Sequence, residues 1–295
     1  MFDKQRPRRS AFALICAIAL AACVTDSPQQ SGAPTGEAMV AAANPHAVDA
    51  AMQMLREGGS AVDAAVAAEA VLGLVEPQSS GVGGGGFMMF YDGQTMQAYD
   101  GRERAPAGAT PTMFLGDDGQ PMNFLDARAS GRSIGTPLEF AMLKLAHDDH
   151  GRLPWARLFQ PAIDLAENGF EVSPRMARFM AFSGGVERLK QDPQARAYFF
   201  DRRGNPWPAG HLLKNPAYAA TLRAIAEQGP AALTTGEIAN DIVAAAQRGP
   251  RAGTLTLADL QNAHARRIDP VCGVYRVYRV CVPGPPSSGN ATVEI

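Results

Sequence analysis

Residues Val75 to Pro106 read VEPQSSGVGGGGFMMFYDGQTMQAYDGRERAP, and the fold is decided in this stretch. It leaves a small-residue helix at Pro77, crosses the glycine run Gly83 to Gly86, enters the apolar segment Phe87 to Tyr91, and ends on Arg102-Glu103. Four consecutive glycines carry the largest backbone entropy a tetrapeptide can lose on folding. They therefore mark either close backbone approach or positive φ. Gly81-Val82-Gly83-Gly84-Gly85-Gly86 satisfies the spacing G-x-G-x-x-G. A dinucleotide fingerprint needs a strand before it and a helix after it, so that a pyrophosphate meets helix N-terminal amides. Here a helical pattern precedes and a strand pattern follows, and no Lys-Ser/Thr completes a phosphate loop. Asp92-Gly93 predicts a two-residue turn between two strands, with the second strand ending near Asp100 and Arg102 in the loop beyond it, where sites commonly sit.

Working outward, residues 1–22 have the pattern of an export signal: Lys4, Arg6, Arg8 and Arg9 precede the short apolar run Ala11 to Leu20, which is too short to span a bilayer. Leu20-Ala21-Ala22-Cys23 matches a lipobox, in which Cys23 receives a diacylglyceryl group; ordinary cleavage after Ala22, leaving Cys23 a thiol, is the competing reading. Two or three acyl chains would anchor the protein, one being marginal. Val24 follows the cysteine, so nothing directs retention at the inner membrane. The expected location is the periplasmic side of the bacterial cell envelope, at the outer membrane. Residues 23–36 form a polar Pro/Gly/Ser tether, and the folded domain is expected over 37–295. With 46% hydrophobic and 19% charged residues in 295, the chain can bury a substantial core. Its net charge of -2 gives no electrostatic footprint for nucleic acid.

Met39 to Ala43 predicts a short strand. Asn44-Pro45 caps and opens a helix that Gly58-Gly59 ends. Ser60-x-x-Asp63 is a capping box for a second helix to about Leu74, apolar nearly all round and therefore buried. His46 reads as a cap-region histidine. Thr110 to Ser133 reads as loop, Leu138 to His147 as an amphipathic helix, and Trp155 to Asn168 as another that Gly169 caps. Pro174, Asn215-Pro216, Thr235-Gly236-Glu237 and Thr256 open further helices. His147-Asp148-Asp149-His150 lacks a third and fourth ligand placed by sequence, so it reads as a solvated helix end and no metal is expected. Pro270 to Pro283 alternates as a hairpin. A two-residue Arg276-Val277 turn would set Cys272 opposite Cys281 in a close pair, and export would favour a disulfide. Arg-Val supplies no glycine or asparagine for positive φ, so a longer bulged loop, or two reduced cysteines, is the alternative.

Asn44-Pro45-His46, Gly58 to Val66, Val75-Glu76-Pro77, Gly81 to Met89, Arg102 to Pro106, Gly151 to Trp155 and Pro285 to Gly289, in that order, resemble the large-subunit portion of the γ-glutamyltransferase (γ-glutamyltranspeptidase) family. The resemblance spans about Met39 to Gly289. It implies an α+β fold, the αββα sandwich of N-terminal nucleophile hydrolases, of which this chain would hold the helix-rich N-terminal part. It implies transfer of the γ-glutamyl group of glutathione and related compounds to amino acids or water through an acyl-threonine, without cofactor. The threonine's own α-amino group serves as base, an arrangement that suits an amine of pKa near 8. Arg102 is then expected to grip the γ-glutamyl α-carboxylate, with Glu103 as its supporting partner.

The family's threonine is expected beyond this chain, on a C-terminal small subunit, and no catalytic residue is assigned within it. Thr234-Thr235 is followed by Gly236-Glu237-Ile238 in place of the family's histidine and aromatic, and is rejected as the nucleophile. Asn290 stands where the family has glycine. Two other readings are a cephalosporin or glutaryl acylase of the same fold and a catalytically silent exported lipoprotein with at most ligand binding, whose truncated sheet would expose unpaired edges.

Overall fold

The computed structural model describes residues 38–182, 186–249 and 251–294. The signal, Cys23 and the tether lie outside the described residues. Met39 onward forms one compact unit.

Helix α1 (Pro45–Arg56) starts on Asn44, whose Oδ1 accepts the His46 N–H at 3.0 Å, so His46 sits in the cap as its position predicts. Helix α2 (Ala61–Val75) starts on the capping box, Ser60 and Asp63 exchanging hydrogen bonds of 3.1 and 2.7 Å. Its alanine and valine surface packs against α1, and Val66, Ala67, Ala70 and Val71 are fully buried. Small side chains let the two backbones approach closely, which accounts for the alanine-rich sequence. Glu76, buried at the end of α2, accepts from Asn44 Nδ2, Gln78 Nε2 and Arg175 Nη1. Burial alone would raise its pKa. The hydrogen bonds from Ser173, Asn44, Gln78 and Arg175 outweigh that and hold the carboxyl below its usual range. Met39 to Ala43 forms no strand among the described residues.

Strand β1 (Phe87–Tyr91) pairs antiparallel with β2 (Met96–Asp100), Phe87 opposite Asp100 and Tyr91 opposite Met96. The connection is four residues long, two more than Asp92-Gly93 predicts. Asp92 decides this: its carboxylate accepts from the amides of Gln94 and Thr95 and from the Thr95 hydroxyl, closing the longer loop on itself. After α3 (Phe124–Arg128), inside the stretch expected to be loop, come α4 (Glu139–His150), a 3-10 turn at Trp155–Phe159, and α5 (Gln160–Asn168). Strand β3 (Phe170–Glu171), α6 (Pro174–Phe182), α7 (Val186–Leu189), α8 (Pro193–Phe199) and β4 (Leu212–Leu213) follow, β3 pairing with β4. Helices α9 (Pro216–Gln228), α10 (Gly236–Ala246) and α11 (Leu257–Asn262) precede β5 (Arg266–Ile268), which adds to β2 as the third strand. The main core gathers α1, α2, α4, α5 and α9 around Tyr99, Phe140 and Phe159.

The end of α4 is solvated only in part: Asp148 and Asp149 are exposed, as the sequence predicts, whereas His147 and His150 are half-buried against neighbours. His147 is 13% exposed and its Nε2 lies 2.9 Å from the Leu153 carbonyl. Asp149 accepts from Tyr99 Oη and Arg267, and His150 stacks on Phe90. These side chains point to different neighbours.

Strands β6 (Val271–Tyr275) and β7 (Tyr278–Val282) make the last hairpin, with α12 (Gly289–Glu294) packed on it. Arg276 itself takes the positive φ, 57°. Cys272 faces Cys281 in register, and the two are disulfide-bonded.

Candidate active site

The glycine run is the floor of a cavity of about 580 Å³. None of Gly81 to Gly86 adopts positive φ, and close approach explains Gly85 and Gly86. A Cβ on Gly85 would lie 2.3 Å from the Gly101 carbonyl oxygen, and one on Gly86 2.7 Å from the Glu139 carboxylate. Gly86 and Gly101 exchange backbone hydrogen bonds of 3.2 and 3.0 Å, extending the β1–β2 ladder by one pair, while the Gly84 carbonyl accepts from the amides of Leu138 and Glu139 at the start of α4. Gly81 and Gly83 have nothing within 4 Å of a built Cβ and leave the cavity open.

Arg102 enters from the loop after β2. Its Nε lies 3.1 Å from Glu103 Oε2, and its Nη1 makes one long contact, 3.5 Å, to the Gly85 carbonyl. Nη2 makes no hydrogen bond among the described residues. Nε and Nη1 thus each have a protein acceptor while Nη2, the donor common to both forks of the guanidinium, has none among the described residues, and the side chain lines the cavity half exposed. A guanidinium with donors left over can receive a carboxylate, with two parallel donors where the long Gly85 contact gives way.

Two further carboxylates share the space. Glu69 on α2 accepts from the Ser80 hydroxyl and the Gly81 amide, yet burial leaves its pKa raised. Glu139 at the first turn of α4 is raised further, to about 8, by burial first and then by Glu69 and Glu103, with Arg102 opposing. Sequence reasoning found Arg102 and Glu103 and missed Glu69 and Glu139. A signal existed for Glu69, which with Asp63 is one of only two charged residues in α2. A second cavity, of about 490 Å³, lies across Arg102 and Glu103 and is bounded by Phe114, Arg132 and Ile134.

The hydroxyls of Thr234 and Thr235 both donate to the Ala231 carbonyl, at 3.4 and 2.9 Å, and neither residue lines this cavity. Cys272 and Cys281, joined in the last hairpin, are likewise outside it.

Residues 47–295 match the family model described as gamma-glutamyltranspeptidase. The glutathione hydrolase proenzyme of Bacillus subtilis (strain 168) is 37% identical over 256 residues, 86% of this chain and 43% of that protein. The crystal structure of Helicobacter pylori gamma-glutamyltranspeptidase superposes with a TM-score of 0.79 at 31% identity, covering 87% of this chain and 73% of that one. The cephalosporin acylase of Bacillus halodurans superposes at 0.66 with 27% identity, over 88% and 49%. The chain therefore spans less than half the length of its curated relative. The α+β reading and the N-terminal nucleophile hydrolase class hold.

Proposed function

The chain belongs to the gamma-glutamyltranspeptidase family, and from that premise we propose that it supplies the donor-binding side of a γ-glutamyl transfer and hydrolysis site. Arg102 binds the α-carboxylate of a γ-glutamyl compound such as glutathione, and Glu103 fixes the guanidinium's orientation. The observation that carries the reading is the half-held arginine at the rim of a glycine-floored cavity. Glycine at Gly81 and Gly83 lets a substrate lie against backbone rather than side chains. The greater likeness to a γ-glutamyltranspeptidase than to the acylase favours the γ-glutamyl donor.

The acyl-accepting threonine is proposed to lie outside these 295 residues, on a small-subunit segment. The engagement of Thr234 and Thr235 with backbone supports that. No cofactor takes part in this scheme. Export and anchoring through Cys23 are part of the proposal and rest on the sequence pattern of residues 1–23.

The test is release of p-nitroaniline from γ-glutamyl-p-nitroanilide, with intact-mass analysis alongside. The 295-residue chain alone is expected to be inactive and uncut, and to gain activity with a segment carrying the family's threonine. In the active form, Arg102→Ala should raise KM at least tenfold. Activity of the chain by itself would overturn the placement of the nucleophile, and an unchanged KM would overturn the role of Arg102.

A further inference from the structure

We propose that Asp100 is the positioning residue for Arg102, setting the direction in which the guanidinium enters the cavity; this rests on the reading of Arg102 as the carboxylate grip. Asp100 ends β2 and is fully buried. Its Oδ1 accepts the backbone N–H of Arg102 at 2.9 Å, and its Oδ2 accepts from Arg104 Nη2 at 2.7 Å and Arg266 Nη2 at 2.6 Å. One carboxylate thus fixes the amide of the binding arginine and joins that loop to β5.

The arrangement is unusually constrained. An aspartate bonding the amide two residues on is the side-chain equivalent of a backbone turn, and the residue between them cannot vary. A Cβ on Gly101 would meet Met142 Cβ at 2.4 Å and the Leu138 carbonyl at 2.9 Å. Burial works against the charge on Asp100, but Arg266, the Arg102 amide and Arg104 together keep its carboxyl below the usual range. The anion is therefore present at neutral pH and compensated on both oxygens. Arg104 and Arg266 hold the sheet end together. Oδ1, by contrast, holds Arg102, the one of the three partners that lines this cavity, so the Cα–Cβ direction of Arg102 follows from it. Losing the carboxylate would free that amide and leave two guanidiniums without their anion.

The experiment is glutathione binding by the full chain, measured by isothermal titration calorimetry so that variants without the Arg102 side chain are read on the same scale. Asp100→Ala should weaken binding about tenfold, and Arg266→Ala, whose side chain is 55% exposed and so leaves the core untouched, about two- to threefold. The deciding comparison is a double-mutant cycle. Once Arg102→Ala has removed the guanidinium, adding Asp100→Ala should weaken binding no further. Additive losses would overturn the positioning role while leaving Arg102 as the ligand. Wild-type affinity in Asp100→Ala would overturn it too. Arg102→Ala binding as tightly as the wild type would overturn the Arg102 reading itself, and this inference with it. Should Asp100→Ala fail to fold, the cycle runs with Arg266→Ala: coupled affinities support the role, and additive losses overturn it.

Discussion

Glu139 turns the cavity into a pH-sensitive part of the molecule. Its folded pKa of about 8 exceeds the ordinary 4.5, so between those values the native state binds a proton that the unfolded chain has released. Its contribution to stability is therefore fully present below pH 4.5 and is lost as pH rises through 8. Glu139→Gln removes this dependence: thermal melts should show little change at pH 4.5 and a midpoint raised by a few degrees at pH 8.5. Equal shifts at both pH values would show that the carboxyl does not carry the titration. The Arg102-Glu103 pair was legible from residue order alone. The acidic character of the cavity was not, because Glu69, Glu103 and Glu139 come from α2, the loop after β2 and α4 and converge only in three dimensions.

Among the elements, the glycine run separates two requirements that sequence alone could not tell apart. Gly85 sits where another backbone passes and Gly83 where nothing does. Gly85→Ala forces the Gly101 carbonyl aside and should cost about 1–3 kcal/mol in urea unfolding, the usual range for overpacking. Gly83→Ala should stay within about 0.5 kcal/mol, as open sites do. Equal costs at the two positions would mean that conformational freedom, not space, explains the run. Helix starts were readable because each cap is a local chemical event: Asn44 before Pro45, Ser60 with Asp63, Asn215 before Pro216, and Thr256 with Asp259. Strand β5 was not readable. Arg266–Ile268 has no alternation to mark it, and its partner β2 lies more than 160 residues earlier. The four-residue β1–β2 loop escaped for a local reason, since Asp92-Gly93 fits a tight turn until the Asp92 carboxylate is seen to gather Gln94 and Thr95.

Across the whole molecule, stability is unevenly distributed. The helices around Tyr99 form one continuous core, whereas the β6–β7 hairpin contributes nothing to it and exposes Val274, Val277 and Tyr278. The hairpin is braced by α12, where Gly273 leaves room for Val293 and Gly289 for Val282, and by the Cys272–Cys281 bond. Closing so short a loop is worth about 2–3 kcal/mol on the chain-entropy model. That amount acts on the hairpin, not on the core, because such elements open as separate units. The Cys272→Ser, Cys281→Ser double variant should thus speed amide exchange across Val271 to Val282 by roughly 30- to 150-fold, the factor that corresponds to this free energy. Amides of β1 and β2 should keep their protection. If they lose it in parallel, the hairpin and the cavity open as one cooperative unit, and oxidation of this cysteine pair would then govern the stability of the Arg102 site as well.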